Sequence, residues 1–113
     1  MRLFLLLTIS IAVAGCTPTS KIYTAELSHY PNGNLKQNTL KSNGKLNGIT
    51  RIYREDGSLA TAIKYKNGKI DGFKNSYYPD GSAWRVEIYE NDHLVEISEY
   101  DEKGNMIFEQ QNY

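Results

Sequence analysis

The feature that most constrains this chain is a turn signal that returns every 24 residues. Gly33, Gly57 and Gly81 are 24 apart, as are Gly44 and Gly68, and Gly48 and Gly72. Leu46, Ile70 and Leu94 keep the same period, and so do Leu35, Leu59 and Ala83. A period of this size belongs to stacked supersecondary units, each of which buries apolar surface only against its neighbours. Every period carries two turns. One series is Asn32-Gly33, Asp56-Gly57, Asp80-Gly81 and, more loosely, Lys103-Gly104; the other is Asn43-Gly44, Asn67-Gly68 and Asn91-Asp92. Such pairs suit the type I′ hairpin turn, whose two central residues need positive φ. Seven turns divide residues 22–113 into eight strands of about seven to nine residues, with Tyr, Ile and Thr dominant between them, as strands prefer. The expected fold is all-β, an antiparallel meander of about eight strands forming a single twisted, elongated sheet.

Two-residue loops at Asp80-Gly81 and Asn91-Asp92 set the pairing by arithmetic. Glu87 then faces both Lys74 and Glu96, and Trp84 faces Tyr77 and Glu99. Phe73, Ile88 and Val95 line up across three strands, as do Val86 and Ile97 across two. On this register one face collects Tyr53, Ala60, Ala62, Phe73, Tyr77, Trp84, Val86, Ile88, Val95, Ile97 and Phe108. The other holds Arg54, Thr61, Lys74, Ser76, Arg85, Glu87, Glu96, Ser98 and Glu109. Large apolar side chains left in water form a patch that a partner covers. Tyr53, Phe73, Tyr77, Trp84, Val86, Ile88, Val95 and Ile97 are therefore the candidate partner-binding residues, for an unidentified protein or a second protomer. In this register Gly72 is a mere strand position opposite Ile63, where substitution should be mild.

The runs Tyr65-Lys-Asn-Gly-Lys-Ile-Asp-Gly72, Asn43-Gly-Lys-Leu-Asn-Gly48 and Tyr78-Pro-Asp-Gly81 resemble the MORN-repeat variant of bacterial proteins, over about residues 30–113. The resemblance implies a MORN-variant-like β-repeat domain over 22–113, and the apolar sheet face makes an interaction scaffold the first expectation of what that domain does. Some bacterial members are labelled antitoxins or immunity proteins, which implies as the alternative a protein neutralising a toxic effector. The third copy departs from the pattern, with Asp92 and Glu96 where the period expects Gly.

The amino end reads as an address. Met1-Arg2 is a positive n-region, and Leu3 to Val13 is an 11-residue apolar stretch, shorter than the ~17–25 residues a membrane-spanning helix needs. It ends in Val13-Ala14-Gly15-Cys16, which resembles the lipobox of bacterial lipoproteins, with the only cysteine of the chain in place. The resemblance implies a signal peptide over 1–15 and a lipidated Cys16 that carries acyl chains, palmitate among them. Residues 16–21 would be a short tether. Two acyl chains already anchor a protein stably. Thr17 after the cysteine implies, by the family's sorting rule, the outer membrane facing the periplasm rather than the inner membrane.

The remaining chemistry is sparse. After the first 16 residues the chain is about one-third apolar, 33 of 97 residues, too lean for a deep substrate cavity in one domain of this length. A single cysteine excludes an internal disulfide framework and multi-cysteine metal sites. His29 and His93 have no ligand at metal-binding spacing, and no phosphate-binding, dinucleotide or calcium motif occurs. No enzyme, metal or cofactor is expected. A facing Glu87–Glu96 pair is the one arrangement that could serve acid–base work, and a solvated Lys74–Glu87–Glu96 row is the plainer expectation. Residues 21–74 carry ten Lys/Arg against four Asp/Glu, and residues 75–113 two against nine. The near-zero net charge thus hides a basic half, suited to anionic headgroups, and an acidic half, suited to a basic partner. No nucleic-acid role is expected of an exported chain without a clustered basic stripe.

Overall fold

Seven chain reversals of two alternating kinds build the fold seen in the computed structural model, which describes residues 22–112. Cys16 and the rest of the amino-terminal segment lie outside the described residues. At Asn43-Gly44, Asn67-Gly68 and Asn91-Asp92 both residues have positive φ, at 54° and 78°, 52° and 84°, and 47° and 70°. These are the expected type I′ turns. The other series differs. There only the glycines Gly33, Gly57, Gly81 and Gly104 have positive φ, between 88° and 95°. Gly33 N–H bonds Tyr30 C=O and Tyr30 N–H bonds Asn34 C=O, a pattern repeated at Arg54, Tyr78 and Asp101. Each is a three-residue loop, a type I turn completed by a left-handed glycine. Asp56 and Asp80 brace two of these loops by accepting the N–H and hydroxyl of Ser58 and Ser82 at 2.7–2.9 Å.

Nine strand segments result: β1 Tyr23–His29, β2 Leu35–Ser42, β3 Lys45–Leu46, β4 Gly48–Tyr53, β5 Leu59–Lys66, β6 Lys69–Tyr77, β7 Ala83–Glu90, β8 His93–Tyr100 and β9 Met106–Gln111. They form one antiparallel sheet in chain order from β1 to β9, with short β3 pairing β2 off the main path. β3 and β4 are one strand interrupted at Asn47, so the nine segments are the eight expected strands. The sheet does not close, and β1 and β9 are its edges. An all-β antiparallel meander is the observed architecture.

The register departs from expectation in three places, and the one between β7 and β8 moves side chains between faces. Each three-residue loop adds a residue that a bulge absorbs one step into the next strand, as where Tyr77 pairs Ala83 but Ser76 pairs Arg85. Lys74 therefore faces Glu87 as expected. Between β7 and β8, however, Tyr89 pairs Leu94 while Ile88 pairs Glu96, so Val95 is a bulge. Beyond it Glu87 faces Ile97, Val86 faces Ser98 and Arg85 faces Glu99. The expected pairs Glu87–Glu96, Trp84–Glu99, Trp84–Tyr77, Ile88–Val95 and Val86–Ile97 do not form. Directly paired residues share a face, so Ile97 and Phe108 lie on the Lys74–Glu87 side. Glu96, Ser98 and Glu109 lie with Phe73, Val86 and Ile88.

The cause is a missing residue. Gly81 and Gly104 are 23 apart, not 24. In the first two copies the register slips by two residues: the paired numbers of β5 and β6 sum to 135 at Tyr65–Ile70 but 137 at Ile63–Lys74, and β2 pairs β3 and β4 likewise. Each slip contains a glycine at strongly positive φ, Gly48 at 108° and Gly72 at 119°. In the third copy the slip is one residue and needs no glycine, which is why Glu96 is accommodated. Gly72 is accordingly no simple strand position opposite Ile63. A Cβ there would lie 2.9 Å from Lys64 Cδ.

Little of the sheet is a conventional core. The buried residues are Ala62 and Ile63 among apolar side chains, and Thr39, Ser42, Thr50, Ser76, Glu87 and Ser98 among polar ones. Stacking is instead held by repeated hydrogen bonds between successive units. At the three-residue loops the Tyr30 hydroxyl donates to Tyr53 C=O at 2.7 Å, the Tyr78 hydroxyl to Tyr100 C=O at 2.8 Å, and the Arg54 guanidinium to Tyr77 C=O. At the type I′ turns Gly68 N–H bonds Leu46 C=O and Asp92 N–H bonds Ile70 C=O, both at 2.8 Å. Asp92 also accepts from Ile70 N–H at 2.7 Å.

Candidate functional site

The eight candidate partner-binding residues are all half-buried: Tyr53, Phe73, Tyr77, Trp84, Val86, Ile88, Val95 and Ile97. The structure does not gather them into one patch. Phe73 and Ile88 are paired, but the next residue across is Glu96. Val86 lies between Asn75 and Ser98. Ile97 is on the opposite side, between Glu87 and Gln110. Val95 is the bulge, and its carbonyl accepts from Asn112 N–H at 2.7 Å. Trp84 is the unpaired residue between Ala83 and Arg85, and the Arg85 guanidinium stacks over its ring at 4.5 Å. Arg85 also contacts the Glu99 carboxylate through two nitrogens, at 2.6 and 2.8 Å. An ion pair in which two guanidinium nitrogens converge on Glu99 Oε2, and a cation–π contact, thus occupy the place where the sequence suggests bare apolar surface.

The carboxylates are separated too. Glu87 is buried and accepts a 2.7 Å hydrogen bond from the Tyr89 hydroxyl. Burial, and then this bond to the carboxylate, push the Tyr89 phenol up to about 12. Glu96, on the other side, accepts from Gln111 at 2.9 Å. The paired-carboxylate arrangement is therefore not built, and neither is the solvated Lys74–Glu87–Glu96 row. His93 sits at a hairpin tip with Nδ1 3.1 Å from Asn91 C=O, and His29 is exposed on β1. Among the described residues no helix is long and apolar enough to cross a membrane.

Exposed apolar surface lies elsewhere. The large hydrophobic side chains most open to solvent are Ile22, Tyr23 and Leu27 at one end of the sheet and Met106, Ile107 and Phe108 at the other. Sequence reasoning missed this grouping, although its signal was present: among the described residues the first and last strands of an open repeat each border only one strand. Since the strands follow chain order, the charge split of the sequence becomes spatial. The basic half leads to the β1 edge and the acidic half to the β9 edge. The chain matches no family model and no curated protein.

Proposed function

We propose that this protein is a non-enzymatic, lipid-anchored component of a bacterial cell envelope that acts as an interaction scaffold through its β-repeat sheet. The observation that carries the reading is the open meander, whose two edge strands each border a single strand among the described residues and expose apolar side chains, a surface suited to binding. The resemblance to MORN-repeat variants and to lipoprotein signals supports it from the sequence side. The anchor would be acyl chains on Cys16, with the repeat domain held near the headgroups of the outer membrane on its periplasmic side.

Mass spectrometry of the protein extracted from its native membrane tests the anchor. The expected chain begins at Cys16 and carries acyl mass, and Cys16→Ala abolishes both. An unmodified residue 16 in that sample overturns it. Crosslinked co-purification of the acylated protein tests the binding: envelope proteins or further copies of the chain support a scaffold, whereas a toxic effector replaces it with the immunity reading.

A further inference from the structure

We infer that the partner for the sheet edges is a second copy of this chain, docked head to tail so that β9 of one copy pairs β1 of the next. This rests on the reading that the protein works by binding, and gives that binding its surface and its occupant. β2, β5, β7 and β9 each follow a three-residue loop, and β1, β4, β6 and β8 each precede one. Within the chain every strand of the first kind except β9 continues into a strand of the second kind on its far side. β9 lacks such a neighbour among the described residues, and β1 is the strand of the matching kind with an open side. The two edges are thus the two halves of a junction the molecule already makes three times.

Those three junctions share one register. Gln37 pairs Ile52, Thr61 pairs Ser76 and Arg85 pairs Glu99, each at the same distance in sequence from its loops. Carried across the edges, the same register places Phe108 opposite Ser28 of the next copy, and Glu109 opposite Leu27. Burial points to the same missing neighbour. The fifth residues of β2, β5 and β7, namely Thr39, Ile63 and Glu87, are 5%, 8% and 6% exposed. The fifth residue of β9, Gln110, is exposed.

Edge strands of proteins that stay apart are usually guarded by Pro, Lys or other charges. Neither Tyr23–His29 nor Met106–Gln111 contains Pro, Lys or Arg; each carries a single carboxylate, Glu109 on β9 and, on β1, Glu26, which Lys41 of β2 pairs at 3.1 Å. Charge favours the head-to-tail sense, because the acidic β9 half of one copy meets the basic β1 half of the next. The contact is heterologous, so it does not end at a dimer.

A proline at Glu109 tests the inference. Asn112 N–H points at Val95 on β8, so strand alternation turns Glu109 N–H to the open side, where proline is tolerated but cannot donate. The full chain in detergent should sediment as monomer, dimer and longer species that grow with concentration and recede with added salt. Glu109→Pro should keep its β-sheet circular dichroism and lose every species above the monomer. Added to wild type, it should shorten the longer species, since its intact β1 edge still docks while its β9 edge stops growth. Oxidising a mixture of Ser28→Cys and Phe108→Cys chains keeps the inference falsifiable should the proline unfold the strand. The expected disulfide joins 28 to 108. A wild type that is monomeric throughout, a proline variant that assembles normally, or 28–28 and 108–108 disulfides would each overturn it. An acylated chain that stays monomeric defeats the edge pairing alone, and an unmodified Cys16 in a chain that assembles defeats the anchor alone.

Discussion

The Tyr78 hydroxyl donates a 2.8 Å hydrogen bond to the backbone carbonyl of Tyr100, the last residue of β8 before the next three-residue loop. Tyr30 does the same to Tyr53, and Arg54 takes the intermediate place on Tyr77. Three residues at one repeat position thus tie each unit to its successor. In a sheet with so few buried apolar side chains, such ties carry a larger share of stability than in a globular core.

Tyr78→Phe and Tyr30→Phe should each cost ~1 kcal/mol, the usual net value of a part-buried hydrogen bond. For a domain of this size that lowers Tm by about 4–8 °C. Arg54→Ala should cost more, since Arg54 also bonds Ser58 Oγ and Leu59 C=O at 3.2 Å. Thermal melts followed by circular dichroism check the order, and a Tyr78→Phe variant as stable as wild type would remove the tie from the account.

Gly72→Val should be more damaging than Gly68→Val. Both positions need a left-handed backbone, which costs a β-branched residue ~1–2 kcal/mol. Gly68 has open space around its missing Cβ, whereas at Gly72 a Cβ meets Lys64 Cδ at 2.9 Å. Gly72 also sits inside the two-residue slip that sets the β5–β6 register. Chemical denaturation of the two variants decides it, and equal midpoints would contradict the assignment.

Glu87→Ile should be neutral or stabilising. Glu87 occupies the fifth strand position that Ile63 fills one repeat earlier, and both are buried. Burying a carboxylate carries a desolvation cost that a packed aliphatic group does not, and the Tyr89 hydroxyl released by the exchange is only half-buried and within reach of water. The accompanying change is in Tyr89, which loses the carboxylate partner that helps to raise its phenol. Spectrophotometric titration should find that phenol moved back toward the ordinary tyrosine range.

Stability should fall at both ends of the pH scale for separate reasons. Tyr89, raised to about 12 from 10.0, favours the folded state below pH 10, and that contribution is lost as pH rises from 10 toward 12. Asp56, Asp80 and Asp101 are held below 3.8 by hydrogen bonds from Ser58, Ser82 and Asn105 respectively. Their contribution is present above that value and is lost as pH falls through the lowered range. Asp80→Asn, which keeps an acceptor but cannot ionise, should flatten part of the acid limb in pH-dependent denaturation.

The strand count, the antiparallel meander and the three type I′ turns were legible in the sequence. Asn-Gly and Asn-Asp pairs favour positive φ locally, and Asn43-Gly44, Asn67-Gly68 and Asn91-Asp92 take it at both residues, although at Asn32-Gly33 only the glycine does. The three-residue loops look almost the same in sequence. In the loops at Asn32-Gly33, Asp56-Gly57 and Asp80-Gly81 the side chain before the glycine accepts the N–H of the residue after it, Asn34, Ser58 and Ser82, a contact that braces the type I turn. Reading two-residue loops there had no consequence at Lys74–Glu87, where the adjacent bulge restored the register.

The error at Glu96 did have a consequence. One residue fewer between Gly81 and Gly104 becomes a one-residue bulge at Val95, and every side chain beyond it changes face. A period-two strand carries no local mark of where such a slip falls; the neighbouring strand decides it by pairing. The sequence by itself determined a repeat-built all-β sheet, because turn chemistry is local. Which side chains share a face, and that the open apolar surface lies at the two edges rather than around Trp84, only the tertiary structure decided, because both depend on pairing between strands.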